Sequence, residues 1–386
     1  AYFAAAGGTA PYSWQLQSGS TLPAGLTLGS EGTITGTVAS SVTAGTYNFN
    51  VSVNDSSIPK LAARQQVTLT VGKPNGANCN NISFNVANTS TPIQGLDVLG
   101  TGTYLGAVGG LYPNGSNIRP IDHTSYGIGL AQGIQPLNAS GLPDPNGKEV
   151  IVLIGESNVH TEGDGIAEDA NADPQKNPAV LVVNAGLGDG TAAVLADPNS
   201  AFWTTILDYI IPNYGVTPMQ VVAAWIEPTD ALNTGVFPGD IATLQGQIES
   251  ETRNLHTLFP NLKMAYLSSR IYAGYSNGVS TTNPEPYAYE DGFAVKYSIQ
   301  DQLDGINNLN FAPSKGPVAA PWMSWGPYTW ADGLVVPSTT GHLWSCQDVK
   351  GDGIHPTKTS GKEEVANQVV QFFKSDPTTT PWYLAP

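Results

Sequence analysis

The sequence is poor in charged residues, and basic residues are the scarcest among them. Only 12% of the 386 residues are charged, and 15 Lys and Arg stand against 31 Asp and Glu, which gives a net charge of −16. A phosphate backbone or an anionic lipid surface would be repelled over most of such a protein. The composition therefore excludes a nucleic acid as a partner, and the low share of charge excludes disorder driven by charge.

Long apolar runs are missing as well. No run approaches the roughly 18 residues that a membrane-spanning helix needs, so we predict no membrane span. The sequence starts at Ala1 without a basic segment followed by an apolar stretch, so we predict no signal peptide in it. Few Lys, many Thr, Ser, Asn and Gly, and the acidic balance together favour a secreted protein that has already been processed.

Cysteine and other metal-ligating residues are few. The two cysteines, Cys79 and Cys346, could form one disulfide or remain as two buried thiols. A metal site would need several His, Cys or carboxylate ligands at short spacing, and the sequence offers no convincing set. We expect neither a metal nor a cofactor.

The first 72 residues have the pattern of an all-β module. Apolar residues occupy every second position from 47 to 53, the period of half-buried strands. The segment GGTAPYSWQLQSGSTLPAGLTLGSEGTITGTV, followed by AGTYNFNVSVND, resembles the immunoglobulin-like or cadherin-like modules of bacterial surface and secreted proteins. The resemblance implies a small β-sandwich that serves as a spacer over residues 1–72, and it suggests further modules of a longer chain or a surface assembly as partners.

A Gly- and Pro-containing stretch at 72–76 is predicted to be a linker. We assign residues 73–147 to this linker and to an N-terminal extension of the next domain, with one helix near 122–134.

The third region, residues 148–386, alternates short apolar runs with amphipathic helical patterns. Short continuous apolar runs are typical of buried parallel strands. Alternating strands and helices predict a parallel sheet with helices on both faces. The predicted strands are Val150–Ile154, Val180–Val183, Val221–Ile226 and Leu262–Leu267.

Residues at the carboxyl ends of these strands are the candidates for a site, because ligands bind there in such sheets. Ser157 follows the first strand after Gly155 and Glu156, where a tight turn can display a nucleophile; the simpler interpretation is that it begins a loop. Gly188 lies in a Gly-rich turn after the second strand. Backbone N–H groups of such a turn can approach a ligand oxygen closely.

His355 stands out among the five histidines because Asp352 precedes it by three residues, just before the last helical pattern. A carboxylate at this spacing can accept the imidazole Nδ1–H and leave Nε2 free to act as a base.

Together these elements resemble the SGNH (GDSL) hydrolase superfamily over about residues 148–376. They are a Ser after strand one, a Gly after strand two and Asp-x-x-His-Pro before the last helix. The resemblance implies a three-layer α/β/α domain with a flavodoxin-like parallel sheet. It also implies that Ser157 is the nucleophile, His355 the general base and Asp352 its orienting acid, with the Ser157 and Gly188 N–H groups in the oxyanion hole.

The sequence departs from the family at the third strand. The family has Gly-x-Asn-Asp there, and its Asn donates to the oxyanion, whereas this chain has Thr229 at the Asn position. Losing one such donor lowers turnover by about 10²–10³. The Thr229 hydroxyl, Asn158 and Asn184 are the candidates to replace it. Glu156 and Asn158 also differ from the Asp and the apolar residue that usually flank the serine.

Two further groups are candidates for substrate binding. We expect Arg270, after the fourth strand, near the mouth of the cleft, where it would neutralise Glu227 or hold an anionic substrate group; an ordinary ion pair is the alternative. Trp322 and Trp325 belong to an aromatic segment that could line a sugar-stacking cleft or pack onto the core.

The sequence thus predicts a secreted or cell-surface bacterial serine esterase. It would hydrolyse short-chain or acetyl O-acyl esters, with a polysaccharide as the expected carrier, through a Ser-His-Asp triad and an acyl-enzyme. The alternative is a non-catalytic adhesion or assembly protein built on a degenerate SGNH scaffold.

Overall fold

The computed structural model divides the chain into two compact units, Ala1–Gly76 and Ala77–Pro386. Of the predicted linker at 72–76, residues 72–75 lie outside the described part of the chain. The described residues are 3–36, 39, 42, 45–71, 76–231, 235–277 and 283–385.

The N-terminal unit consists of antiparallel strands. One sheet has the order β1-β4-β5, and β2 and β3 pair separately as a hairpin. The alternation at 47–53 falls on β4, where Phe49 and Val51 are buried and the intervening polar residues face the other side. The strands are β1 (Ser13–Leu16), β2 (Leu26–Leu28), β3 (Ile34–Gly36), β4 (Gly45–Asn54) and β5 (Ala62–Val71).

The second unit is mixed α/β. Its strands are β6 (Thr103–Tyr104), β7 (Ala107–Val108), β8 (Glu149–Gly155), β9 (Val180–Asn184), β10 (Val221–Glu227), β11 (Met264–Leu267) and β12 (Trp322–Trp325). Its helices are α1 (Leu96–Leu99), α2 (Ile121–Gln132), α3 (Ser157–Ala172), α4 (Ala192–Leu195), α5 (Ala201–Thr205), α6 (Ile211–Asn213), α7 (Gly239–Leu258), α8 (Tyr287–Leu303), α9 (Ser360–Ser375) and α10 (Thr380–Tyr383). A π-helical turn at Ile206–Ile210 joins α5 to α6, and 3₁₀ turns lie at Pro113–Gly115, Pro218–Gln220, Asn307–Leu309 and Pro313–Lys315.

A five-stranded parallel sheet forms the centre of this unit, in the order β12-β11-β10-β8-β9. Every residue of β8, β10 and β11 is buried, which explains their continuous apolar runs. The chain begins in the middle of the sheet with β8, adds β9 on one side and then crosses to β10 on the other. The connections after β8 and β10 therefore leave in opposite directions and open a crevice at the carboxyl ends of these strands.

Helices pack in pairs beside the sheet: α3 contacts α9, and α7 contacts α8. The edge strand β12 was not predicted, because its sequence WMSW has the composition of an aromatic loop. Main-chain pairing of Met264 to Leu267 with Trp322 to Trp325 makes it a strand.

A disulfide joins Cys79 to Cys346, with 5.3 Å between their Cα atoms. It ties the start of the second unit to the loop that precedes His355. In the described part of the chain, no helix is both long and apolar enough to cross a membrane.

Candidate active site

Ser157 lies at the junction of β8 and α3, as the first residue of the helix. Gly155 allows this junction, because its φ is +155° and a Cβ there would overlap Val159 and the Glu227 carbonyl oxygen. Ser157 is half-buried, at the carboxyl edge of the sheet. Its own N–H belongs to the first turn of α3, where N–H groups have no acceptor within the helix.

His355 and Asp352 lie in the turn before α9 and meet Ser157 across 198 residues of sequence. Ser157 Oγ is 2.7 Å from His355 Nε2, and His355 Nδ1 is 2.7 Å from Asp352 Oδ2. Asp352 Oδ1 also accepts the N–H groups of Ile354 and His355, at 3.0 and 3.1 Å. Burial raises the pKa of Asp352, but these hydrogen bonds outweigh it and hold the pKa below the ordinary value. Asp352 therefore stays ionised and fixes the imidazole with Nδ1–H towards it.

The loop after β9 is anchored beside the serine. Leu187 N–H donates to the Gly155 carbonyl at 3.1 Å, and Ala192 N–H donates to the Thr229 carbonyl at 2.8 Å. The ends of β8, β9 and β10 are thus joined. Gly188, next to Leu187, is exposed, with open space where a Cβ would stand.

Asn184 and His160 hold this loop in shape, and the sequence analysis gave His160 no role. His160 Nδ1 lies 3.1 Å from the Gly186 carbonyl oxygen, and the Gly186 N–H donates to Asn184 Oδ1 at 3.0 Å. His160 is one helical turn beyond Ser157, and this i, i+3 spacing is the sequence signal that could have pointed to it.

Two of the three candidate replacements for the third oxyanion donor, Thr229 and Asn184, are engaged by other groups. Thr229 is 1% exposed, and its hydroxyl donates to Asp291 Oδ2 at 2.6 Å. Asn184 donates to the Asp164 carboxylate and to the His160 carbonyl. The Asn158 side chain has no hydrogen-bond partner in the described part of the chain, but it is fully buried and not exposed to the cleft.

The expectation for Arg270 and Glu227 at the mouth of the cleft is wrong, because both side chains are fully buried. Arg270 Nη2 lies 3.5 Å from Glu156 Oε1 in a buried ion pair. Glu227 instead faces the Glu162 carboxyl, on α3. In this structure neither side chain can touch a substrate in the cleft.

Glu162 and Glu227 form a pair of neighbouring buried carboxyl groups that the sequence analysis did not predict. Within the described chain, no N–H or O–H group donates to either carboxyl, and two buried carboxyls that lie beside each other favour the protonated form. Burial raises the pKa of Glu162 to about 7. Burial also raises the pKa of Glu227 well above its ordinary value, and the neighbouring Glu162 carboxyl raises the pKa of Glu227 further. An acidic residue on an otherwise buried helix face is the signal that could have identified Glu162.

The aromatic pair belongs to the core and does not form a cleft. Trp322 is fully buried, stacks on His123 with 4.7 Å between ring centres and donates its indole N–H to the His123 carbonyl. Trp325 is 2% exposed and donates its indole N–H to the Leu111 carbonyl. Neither ring offers a face for a sugar.

Among the described residues, no group of three or more His, Cys, Asp or Glu side chains is arranged to hold a metal ion.

Comparison with known proteins identifies the N-terminal unit alone. Residues 1–72 match a family described as "Putative Ig domain". No curated protein matches the chain. Among solved structures, the periplasmic domain of a lipopolysaccharide acetyltransferase from Salmonella ser. Paratyphi A is similar at 13% identity, over 65% of this chain and 95% of that chain, with a TM-score of 0.32. A likeness at this TM-score defines neither the fold nor the activity of the second unit.

Proposed function

We propose that the second unit is a serine esterase of the SGNH (GDSL) type that hydrolyses short-chain O-acyl esters. One observation carries the proposal: a serine hydroxyl, an imidazole and a carboxylate are linked by two 2.7 Å hydrogen bonds at the carboxyl edge of a parallel sheet. This is the geometry that nucleophilic acyl transfer requires.

In the proposed reaction, His355 Nε2 takes the Ser157 proton while Oγ attacks the ester carbonyl carbon. The tetrahedral intermediate collapses when His355 returns this proton to the departing alkoxide, which leaves the acyl group on Ser157. Water, deprotonated by His355, then attacks the acyl-enzyme and releases the acid and the free serine. Asp352 remains a carboxylate throughout and stabilises the imidazolium.

The developing oxyanion would be held by backbone N–H groups, those of Ser157 and Gly188. The Leu187 hydrogen bond to Gly155 supports this role for Gly188, because it keeps the two segments adjacent. With the Thr229 hydroxyl engaged by Asp291, the hole has two donors rather than three. We expect a slower enzyme than one with a third donor, by about 10²–10³ in turnover.

The topology supports the same class. Numbered along the chain, the five parallel strands have the order 2-1-3-4-5, which is the flavodoxin-like doubly wound order with its crevice between strands 1 and 3. We propose a three-layer α/β/α arrangement around it. The immunoglobulin-like match and the disulfide support a location outside the cytoplasm, as a secreted or cell-surface bacterial protein.

The carrier of the acyl group is proposed only as an ester of a hydroxyl compound, with a polysaccharide as one member of that class. Buried Trp322 and Trp325 no longer support a sugar-stacking cleft. A second candidate function is a non-catalytic adhesion or assembly protein. The observation in its favour is that the oxyanion hole has only two donors.

Hydrolysis of p-nitrophenyl acetate and labelling by a fluorophosphonate probe distinguish the two candidates. We expect turnover and labelling of the wild-type protein, and loss of both in Ser157→Ala at an unchanged circular dichroism spectrum. Thr329→Ala is a matched control, since Thr329 is a fully buried hydroxyl outside the triad. Turnover that survives in Ser157→Ala removes the serine from the mechanism, and a folded wild-type protein that is neither active nor labelled supports the adhesion candidate.

A further inference from the structure

Glu156 immediately precedes Ser157 and is the N-cap residue of α3, yet its side chain does not cap the helix. An Asp carboxylate at this position ordinarily accepts N–H groups of the first turn. Here Glu156 Oε1 instead lies 3.5 Å from Arg270 Nη2, and the two side chains are 3% and 0% exposed. Arg270 lies in the loop that follows β11, whereas Glu156 follows β8.

Arg270 has more than one acid around it, but among the described residues Glu156 is the one at ion-pair distance. Glu227, Glu162 and Asp291 also act on the guanidinium from β10, α3 and α8. Burial raises the pKa of Glu162 and of Glu227, which favours their neutral forms, and Asp291 accepts hydrogen bonds from Thr229 and Asn283. One buried cation is thus matched with the carboxylate next to the nucleophile.

The position of this carboxylate matters because the N-terminus of a helix attracts anions. The first-turn N–H groups and the helix dipole are equivalent to about half a positive charge there. A carboxylate that capped α3 would accept the same N–H groups that the oxyanion needs, and it would repel the negative charge that develops on the substrate.

We propose that Arg270 is a positioning residue for the reaction proposed above: it holds the Glu156 carboxylate away from the N-terminus of α3 and leaves the first-turn N–H groups open to the oxyanion. This inference rests on the proposed esterase function. It assigns a role to the Glu at the position where the family has Asp. Because the oxyanion hole has only two donors, a carboxylate that competes with the oxyanion for one of them would lower turnover strongly.

The test compares Arg270→Met with the double variant Arg270→Met/Glu156→Gln in p-nitrophenyl acetate hydrolysis. In Arg270→Met the unpaired carboxylate turns to the helix terminus, so we expect kcat to fall about 100-fold with KM changed by less than about twofold. The double variant has no carboxylate to compete, so kcat should recover about tenfold or more. A purely structural ion pair would not give this recovery in kcat.

Arg119→Met is the matched control. Arg119 forms another buried ion pair, with Asp376, and these side chains are 10% and 13% exposed. We expect a lower melting temperature for Arg119→Met but a kcat within about twofold of the wild type. Melting curves and circular dichroism establish that each variant is folded at the assay temperature.

The outcomes separate the two proposals. A wild-type protein without turnover or labelling of Ser157 overturns the esterase function and this inference with it. With an active wild type, a folded Arg270→Met that retains its kcat overturns this inference alone, as does a double variant without recovery. If Arg270→Met does not fold, the double variant decides by itself: kcat within about tenfold of the wild type supports the inference, and a larger loss overturns it.

Discussion

Buried carboxyl groups without partners are a recurrent feature of this acidic chain, and Glu251 is the clearest case. Its side chain lies on α7, is 1% exposed and receives no hydrogen bond from the described chain. Burial raises its pKa from 4.5 to about 8. Unfolding lets the group ionise at its ordinary pKa, so its contribution to the free energy of unfolding is most favourable below pH 4.5 and is lost as the pH rises through about 8.

Replacement Glu251→Gln should therefore stabilise the protein at alkaline pH. We expect a gain of about 4 kcal/mol in the free energy of unfolding at pH 8 and almost none at pH 4.5, because the amide does not titrate. Denaturant unfolding across this range measures it. Thr257→Ala, at an exposed hydroxyl of the same helix that does not titrate, is the control and should leave the pH dependence unchanged. Parallel curves for Glu251→Gln and the wild type would contradict the argument.

Among the elements, the turn from Lys350 to His355 does the most to form the candidate site. Lys350 N–H donates to the His355 carbonyl at 2.7 Å, and Gly353 N–H donates to the Lys350 carbonyl at 2.8 Å. Gly353 has a φ of +75°, and a Cβ there would overlap the Tyr275 carbonyl oxygen. The turn can thus pack closely against the loop after β11 because this residue has no side chain.

Gly353→Ala should displace the turn and separate His355 from Ser157. A shift of about 1 Å in a catalytic group lowers turnover by about 10²-fold, and we expect at least that loss in esterase activity. Gly341→Ala is the matched control, because Gly341 has a similar φ of +82° but nothing within 4 Å of its Cβ position. It should lower stability by about 1–2 kcal/mol and leave turnover unchanged. Equal activity of the two variants would refute the role of the close contact.

At the scale of the whole molecule, the disulfide between Cys79 and Cys346 links two residues that are far apart in the sequence. It spans 267 residues and joins the start of the second unit to the loop that leads into the turn from Lys350 to His355. Closing a loop of this length restricts the unfolded chain strongly, which stabilises the folded state by about 3–5 kcal/mol.

The variant Cys79→Ala/Cys346→Ala should melt at a lower temperature than the oxidised wild type, by an amount equivalent to about 3–5 kcal/mol. The chain has only these two cysteines, so dithiothreitol should lower the melting temperature of the wild type to that of the variant and leave the variant unaffected. Two free thiols in the unfolded, unreduced wild type would disprove the bond in solution.

The sequence by itself determined what depends on neighbouring residues. The apolar runs fixed four of the five parallel strands, because strands buried on both faces must be apolar throughout. The three-residue spacing of Asp352 and His355 indicated a hydrogen bond between them, because a tight turn brings such residues together. Alternation between polar and apolar residues likewise identified β4 of the N-terminal unit, and the family match agrees with an immunoglobulin-like module there.

Tertiary structure alone decided the partners of the polar residues that are far apart in the chain. Arg270 forms an ion pair with Glu156 rather than with Glu227, and the Thr229 hydroxyl donates its hydrogen bond to Asp291 rather than to an oxyanion. β12 is a strand because of its pairing with β11. A buried polar group can form hydrogen bonds or ion pairs only with the few polar groups next to it. Which groups are next to it depends on how the helices and strands pack. The number of residues between two side chains in the sequence does not give the distance between them in the fold.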